Sequence, residues 1–144
     1  MAYTKTEWVT GETPLSADNM NNIENGVEAA DLAVTPELWT SYSFNSYTAT
    51  DTGFSWVYVI GKLCIFSLAF QYTADYTPTN TQAFVTGMPV PLHPMFCFGQ
   101  QLHASTMEVF KCVVNSEGNI TNWYSGVKTY RNQPAIVTGM YVIA

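Results

Sequence analysis

Apolar residues recur along this chain at two different periods. Between positions 16 and 34 they fall at Met20, Ile23, Val27, Ala30 and Val34, spaced 3, 4, 3 and 4. This is the seam of a coiled coil, kept for about two heptads. Ser16 is placed to cap the amino end, and Asp18 follows in the first turn, where the helix dipole favours a negative charge. Asn19, Asn21, Asn22, Asn25 and Gly26 weaken the helix interior, and a helix this short is marginal in isolation. It therefore needs packing, either on its own domain or on sister helices. Pro36 ends the segment, and 35–38 reads as a hinge.

From Leu38 onward the period falls to two. Phe54, Trp56, Tyr58 and Ile60 alternate on one face, Gly61-Lys62 suits a two-residue hairpin turn, and Leu63 to Tyr72 returns as the partner strand. That partner is apolar on both faces, as a strand lying between two sheets or at a subunit interface would be. Asp75 to Thr81 reads as a polar turn, and Thr86 to Pro94 as a proline-punctuated crossover. Further strands are expected over Met95–Phe98, Met107–Val114, Asn119–Tyr124 and Ala135–Ile143, with Asn115 to Gly118 as a hairpin turn. The expected fold is mainly β. An N-terminal segment with a short helix (1–37) precedes an antiparallel, jelly-roll-like β-sandwich head (38–144).

Composition sharpens this picture. Of 144 residues, 47% are hydrophobic and only 11% charged, against about 25% in an average domain, which excludes a disordered chain. No apolar run reaches the length of a membrane span, and the first residues carry no apolar stretch of the kind a signal peptide requires. The formal net charge of -6 sits entirely in residues 1–37, which hold seven acids and one base; residues 38–144 hold four of each. A surface so poor in Lys and Arg does not suit nucleic acid or an anionic membrane. A neutral, aromatic, charge-poor domain is poorly soluble alone, which points to surface buried against copies of itself.

Candidate chemistry is sparse. Cys64, Cys97 and Cys112 lie in strand-like apolar runs and read as reduced core thiols; with His93 and His103 they do not make a metal site. No phosphate loop, nucleophile elbow or zinc motif is present, and no cofactor is expected. A glycoside hydrolase would need a pair of carboxylates, and Asp51, Asp75, Glu108 and Glu117 are the carboxylates available after residue 37. They read as solvated loop charges, so no catalytic residue and no enzyme is expected. Aromatic faces mixed with amides and hydroxyls remain, an inventory that suits sugar rings as well as core packing. Trp123, Tyr124, Tyr130, Arg131 and His103, near turns, are the candidate receptor contacts.

The stretch from Tyr3 to Val27 resembles a recurring opening of phage fibre and baseplate proteins. It runs Trp8, Gly11, Thr13-Pro14, then Asn19-Met20-Asn21-Asn22-Ile23-Glu24-Asn25-Gly26-Val27. Val113 to Trp123, followed by Gly139-Met140-Tyr141-Val142-Ile143, looks like the closing strands of phage receptor-binding heads. No family binding residue maps onto a position here. The resemblance implies a homotrimer, whose seam helix forms a trimeric bundle and whose N-terminal segment attaches to other virion proteins. It implies a virion location as a short fibre or baseplate tip, made in the bacterial cytoplasm, with a head that binds a host-surface saccharide. A decoration or adaptor protein without a glycan site is the alternative.

Overall fold

The computed structural model describes residues 16–46, 48–75, 82–123 and 128–144. The chain divides into one compact unit ending at Thr35 and a second from Pro36 to Ala144. The motif-bearing segment before Ser16 lies outside the described residues.

In the first unit, helix α1 spans Ala17–Val34. The Met20 amide donates to the Ser16 carbonyl at 3.1 Å, and Asp18 stands in the first turn. At the other end the amide and the hydroxyl of Thr35 both donate to the Asp31 carbonyl, at 2.9 and 2.8 Å. These bonds satisfy a carbonyl that would otherwise be orphaned at the helix end. The predicted seam is exposed along its length: Met20 is 47% exposed, Val27 64% and Val34 66%, and Ile23 and Ala30 are exposed too. No helix among the described residues is long and apolar enough to cross a membrane.

Among the described residues the second unit holds ten strands: β1 (Glu37–Leu38), β2 (Ser43–Phe44), β3 (Ala49–Asp51), β4 (Trp56–Ile60), β5 (Leu63–Tyr72), β6 (Ala83–Thr86), β7 (Met95–His103), β8 (Thr106–Val114), β9 (Ile120–Trp123) and β10 (Pro134–Val142). The hinge is shorter than the sequence suggests, because Glu37 and Leu38 already pair with Val59 and Tyr58. The chain is mainly β as the strand spacing predicts, and hydrogen bonding joins the strands into one curled antiparallel sheet. Its order is β1-β4-β5-β10-β7-β8-β9-β6-β2, with β3 also on β5. The last strand, β10, sits between β5 and β7. The sheet curls: β5 and β6 stand five places apart in the order, yet the rings of Phe70 and Phe84 lie 5.1 Å apart.

Inside the curl, alternate residues make the core. Cys64, Phe66, Leu68, Phe70 and Tyr72 from β5 meet Val57, Phe84, Phe110, Val114, Ile120 and Val137, all buried. The outward side of β5 is only half-buried, so this strand is not enclosed on both faces within the chain. Gly99 has a packing reason: the Phe110 ring occupies the place where a Cβ would stand. The three cysteines are buried, with Cys97 opposite Cys112 across β7 and β8, and burial pushes the Cys64 and Cys112 thiols up. Such thiols pack as small hydrophobes rather than react.

The turns divide into those the residues announce and those they do not. Gly61 takes the positive φ of 56° that opens the predicted two-residue β4–β5 turn. Asn115 shapes the next predicted turn, its Oδ1 accepting from the Glu117 and Asn119 amides at 3.0 and 2.9 Å. The β7–β8 turn is different. Strands predicted to end at Phe98 and to begin at Met107 instead pair from Met95↔Val114 to His103↔Thr106. Ala104 and Ser105 close the turn at φ 45° and 69°, a left-handed pair that Asn-Gly normally supplies.

Candidate functional site

Four of the eight charged residues after position 37, Asp75, Glu108, Lys128 and Arg131, collect at one end of the β unit. Three elements bring them there. The β7–β8 hairpin carries Gln101, His103 and Glu108, the chain beyond β5 carries Asp75, and the segment 128–131 precedes β10. That segment is tied down at several points. Arg131 makes a parallel bridge with Tyr72, and the Asn132 amide donates to the Tyr72 carbonyl at 2.9 Å from a positive φ of 59°. The Thr129 hydroxyl donates to the Ala74 carbonyl at 3.4 Å.

At the centre the rings of His103 and Tyr130 stack, their centroids 3.4 Å apart and their planes 5° from parallel. The Lys128 ammonium lies 5.6 Å from the Tyr130 centroid, within cation–π range. Its Nζ is also 3.7 Å from a carboxylate oxygen of Asp75, and Nδ1 of His103 is 3.6 Å from Oε1 of Glu108. The Arg131 backbone N–H donates to Asp75 at 2.6 Å. This bond, followed by the positive charge of Lys128, holds the Asp75 carboxyl below its ordinary range.

Beneath the stack Gln101 is fully buried. Its Nε2 donates to Glu108 at 3.1 Å and to the Lys128 carbonyl at 2.6 Å, while its Oε1 has no partner among the described residues. The result is a charge-balanced surface: a half-exposed aromatic pair flanked by two carboxylates, one ammonium and one guanidinium-bearing residue. A phosphate or polyanion site would carry a positive excess, which this one lacks. Aromatic faces rimmed by acceptors and donors fit a neutral, polyhydroxylated ligand.

Of the residues the sequence singles out, His103 and Tyr130 meet in the stack, and Arg131 joins through its backbone. Tyr124 lies outside the described residues, as does the side chain of Trp123, whose backbone pairs with Lys111 at the end of β9. Asp75, Glu108, Lys128 and Gln101 were not among the candidates. Gln101 had a signal: it is polar at an inward position of an alternating strand, in phase with Cys97 and Gly99. Lys128 and Asp75 had none, since their meeting depends on contacts far apart in sequence. The other two carboxylates shape turns. Asp51 accepts from the Gly53 amide and the Ser55 hydroxyl at 3.0 and 2.8 Å, and Glu117 accepts from Asn119 at 3.0 Å.

The outer face of the sheet contrasts with this polar end. Along β4, β5, β10, β7 and β8 the outward rows read Trp56-Ser67-Thr138-Phe98-Lys111, Tyr58-Ile65-Met140 and Ala69-Ile136-Gln100-Val109. Phe98 is 60% exposed and Met140 62%. A cleft of about 510 Å³ opens on this side, lined by Phe54, Leu102, Met107 and Ile136 with the amides of Gln71 and Gln100. No family model matches the sequence, and no curated protein matches it.

Proposed function

We propose that this chain is a phage or prophage virion structural protein, a homotrimeric short fibre or baseplate tip that binds a host-surface glycan through its β unit. The observation that carries the reading is the helix seam. Met20, Ile23, Val27, Ala30 and Val34 keep 3-4 spacing on one helix and are all exposed, so a bundle of sister helices is the arrangement that buries them. The likeness of Tyr3–Val27 to phage fibre and baseplate openings supplies the context, with the first residues attaching to other virion proteins. The jelly-roll-like character of the head belongs to this same reading.

The stacked His103–Tyr130 pair supplies the glycan contact. A sugar ring packs its apolar face on an aromatic, while its hydroxyls reach Glu108, Asp75 and Lys128. Each site is weak, and three on one assembly act together by avidity. The test is an array of bacterial envelope saccharides probed with the intact protein and with Tyr130→Ala and His103→Ala. An aromatic contact worth about 0.5–1.5 kcal/mol predicts a loss of roughly 3- to 10-fold in single-site affinity. Binding that both variants retain removes the site from this end of the molecule. Absence of binding on envelope saccharides from every host tried favours a decoration or adaptor role.

A further inference from the structure

The outer face of β4, β5, β10, β7 and β8 leaves bare Trp56, Tyr58, Phe96, Phe98, Met140 and Val142, each between 38% and 62% exposed. With their neighbours Met107, Val109 and Ile136 these side chains present on the order of 1,000 Å² of apolar surface, taking large side chains at roughly 150–250 Å² each. A typical monomer's largest patch is about 300–600 Å², and a stable interface buries about 800 Å² per partner. The face is therefore too large and too apolar for a surface left in water.

We infer that a second copy of this chain covers it, making the sheet face the interface between β units of neighbouring subunits. This rests on the homotrimer reading for its stoichiometry and adds the surface itself. Three observations select a copy as the occupant. Among the described strand residues, Lys111 is the one charged side chain on this face, so nothing is placed to recognise a charged partner. Apolar groups stand in every outward row from β4 across to β8, so one flank of the face can seat on the other flank of the next copy, as the heterologous interface of a three-fold ring requires. Two residues, Thr35 and Pro36, tie the end of α1 to β1, so chains joined by their helices hold their β units at an effective concentration of order millimolar. The cleft beside Phe54 and Met107 gives an apolar side chain of the neighbour a place to seat.

Methionine oxidation of the intact protein by dilute peroxide, read peptide by peptide, tests this without any substitution. Met107 and Met140 report the sheet face at 54% and 62% exposure, Met20 the helix seam at 47%, and Met88, buried at 2%, the core. In the assembly, Met107 and Met140 should oxidise at least roughly threefold more slowly than in protein diluted until it dissociates, as burial at an interface of standard size requires. Phe98→Asp, at an exposed strand position that spares the core, should lower the assembly mass. An assembly of three chains in which Met20 is protected but Met107 and Met140 react freely would overturn the sheet interface and leave the homotrimer standing. A mass of one chain at every concentration would overturn both.

Discussion

The helix and the curled sheet of this protein treat their apolar residues differently. No described residue of α1 is buried, although Met20, Ile23, Val27, Ala30 and Val34 line one stripe. The β unit encloses a continuous core from Ala49 to Tyr141, with Phe66, Phe70, Tyr72 and Phe84 almost free of water. One unit can hold its shape from its own contacts, and the other has the pattern of a fold without the burial that stabilises it. The sheet repeats the contrast across its own thickness: its inward residues make a core, and its outward ones stay bare. Apolar periodicity is thus buried within the chain in one place and left exposed in another.

Two substitutions cross this comparison and carry the largest effects. Phe70 packs against Phe44, Tyr72 and Phe84, so Phe70→Ala should lower the stability of the β unit by about 3–5 kcal/mol, read as a shifted urea midpoint. Val27→Asp should do the reverse, dissolving the assembly and the helical circular dichroism while leaving the β unit folded, with its core intact. If Val27→Asp unfolds the β unit as well, the division of labour between the two units is wrong.

A smaller effect is expected at Gly99, where the Phe110 ring fills the space of a Cβ. Gly99→Ala should cost about 1–3 kcal/mol by overpacking, and Phe110→Leu should relieve part of it in a double-mutant cycle. Smaller again, and opposite in sign, is the change at the tip of the β7–β8 hairpin. Ser105 sits at φ 69°, a left-handed conformation costing an ordinary residue about 1–2 kcal/mol. Ser105→Gly should therefore stabilise the β unit by about 0.5–1 kcal/mol after the added freedom of the unfolded chain is counted.

The smallest effect follows acid. The Asp75 carboxyl is held below its ordinary range by the Arg131 N–H and then by Lys128. A depressed carboxylate contributes its tie fully above the unfolded value, near 3.9, and loses it as pH falls through the lower folded value. The 128–131 segment should therefore stay in place at pH 5 and loosen only in stronger acid. A side-chain carboxyl titration of Asp75 by nuclear magnetic resonance reads this directly; a midpoint above 4 would contradict the geometry.

Local signals in the sequence were legible, and non-local ones were not. The helix followed from its 3-4 spacing with Ser16 at its start and Pro36 beyond its end, and the β4–β5 turn from Gly61-Lys62. The end of β7 stayed hidden because Ala104-Ser105 carries no turn residue, so the strand read as stopping at Phe98. The strand order stayed hidden because the place of β10, between β5 and β7, is set by contacts far apart in the chain. β5 read as buried on both faces because an outward Ile65 looks the same whether its cover lies within the chain or on another molecule. At the candidate site the stacked pair could be named from residue type and nearness to turns. The carboxylates and lysine around it could not, since only folding brings residues 75, 108 and 128 together.

On the homotrimer reading, the exposed seam is buried by copies of this chain. Light scattering on a sizing column measures the mass of the intact protein and tests it directly. The expected mass is three times the chain mass of 16.0 kDa, falling to that of one chain in Val27→Asp. A wild-type mass of 16.0 kDa across the accessible concentration range would contradict it.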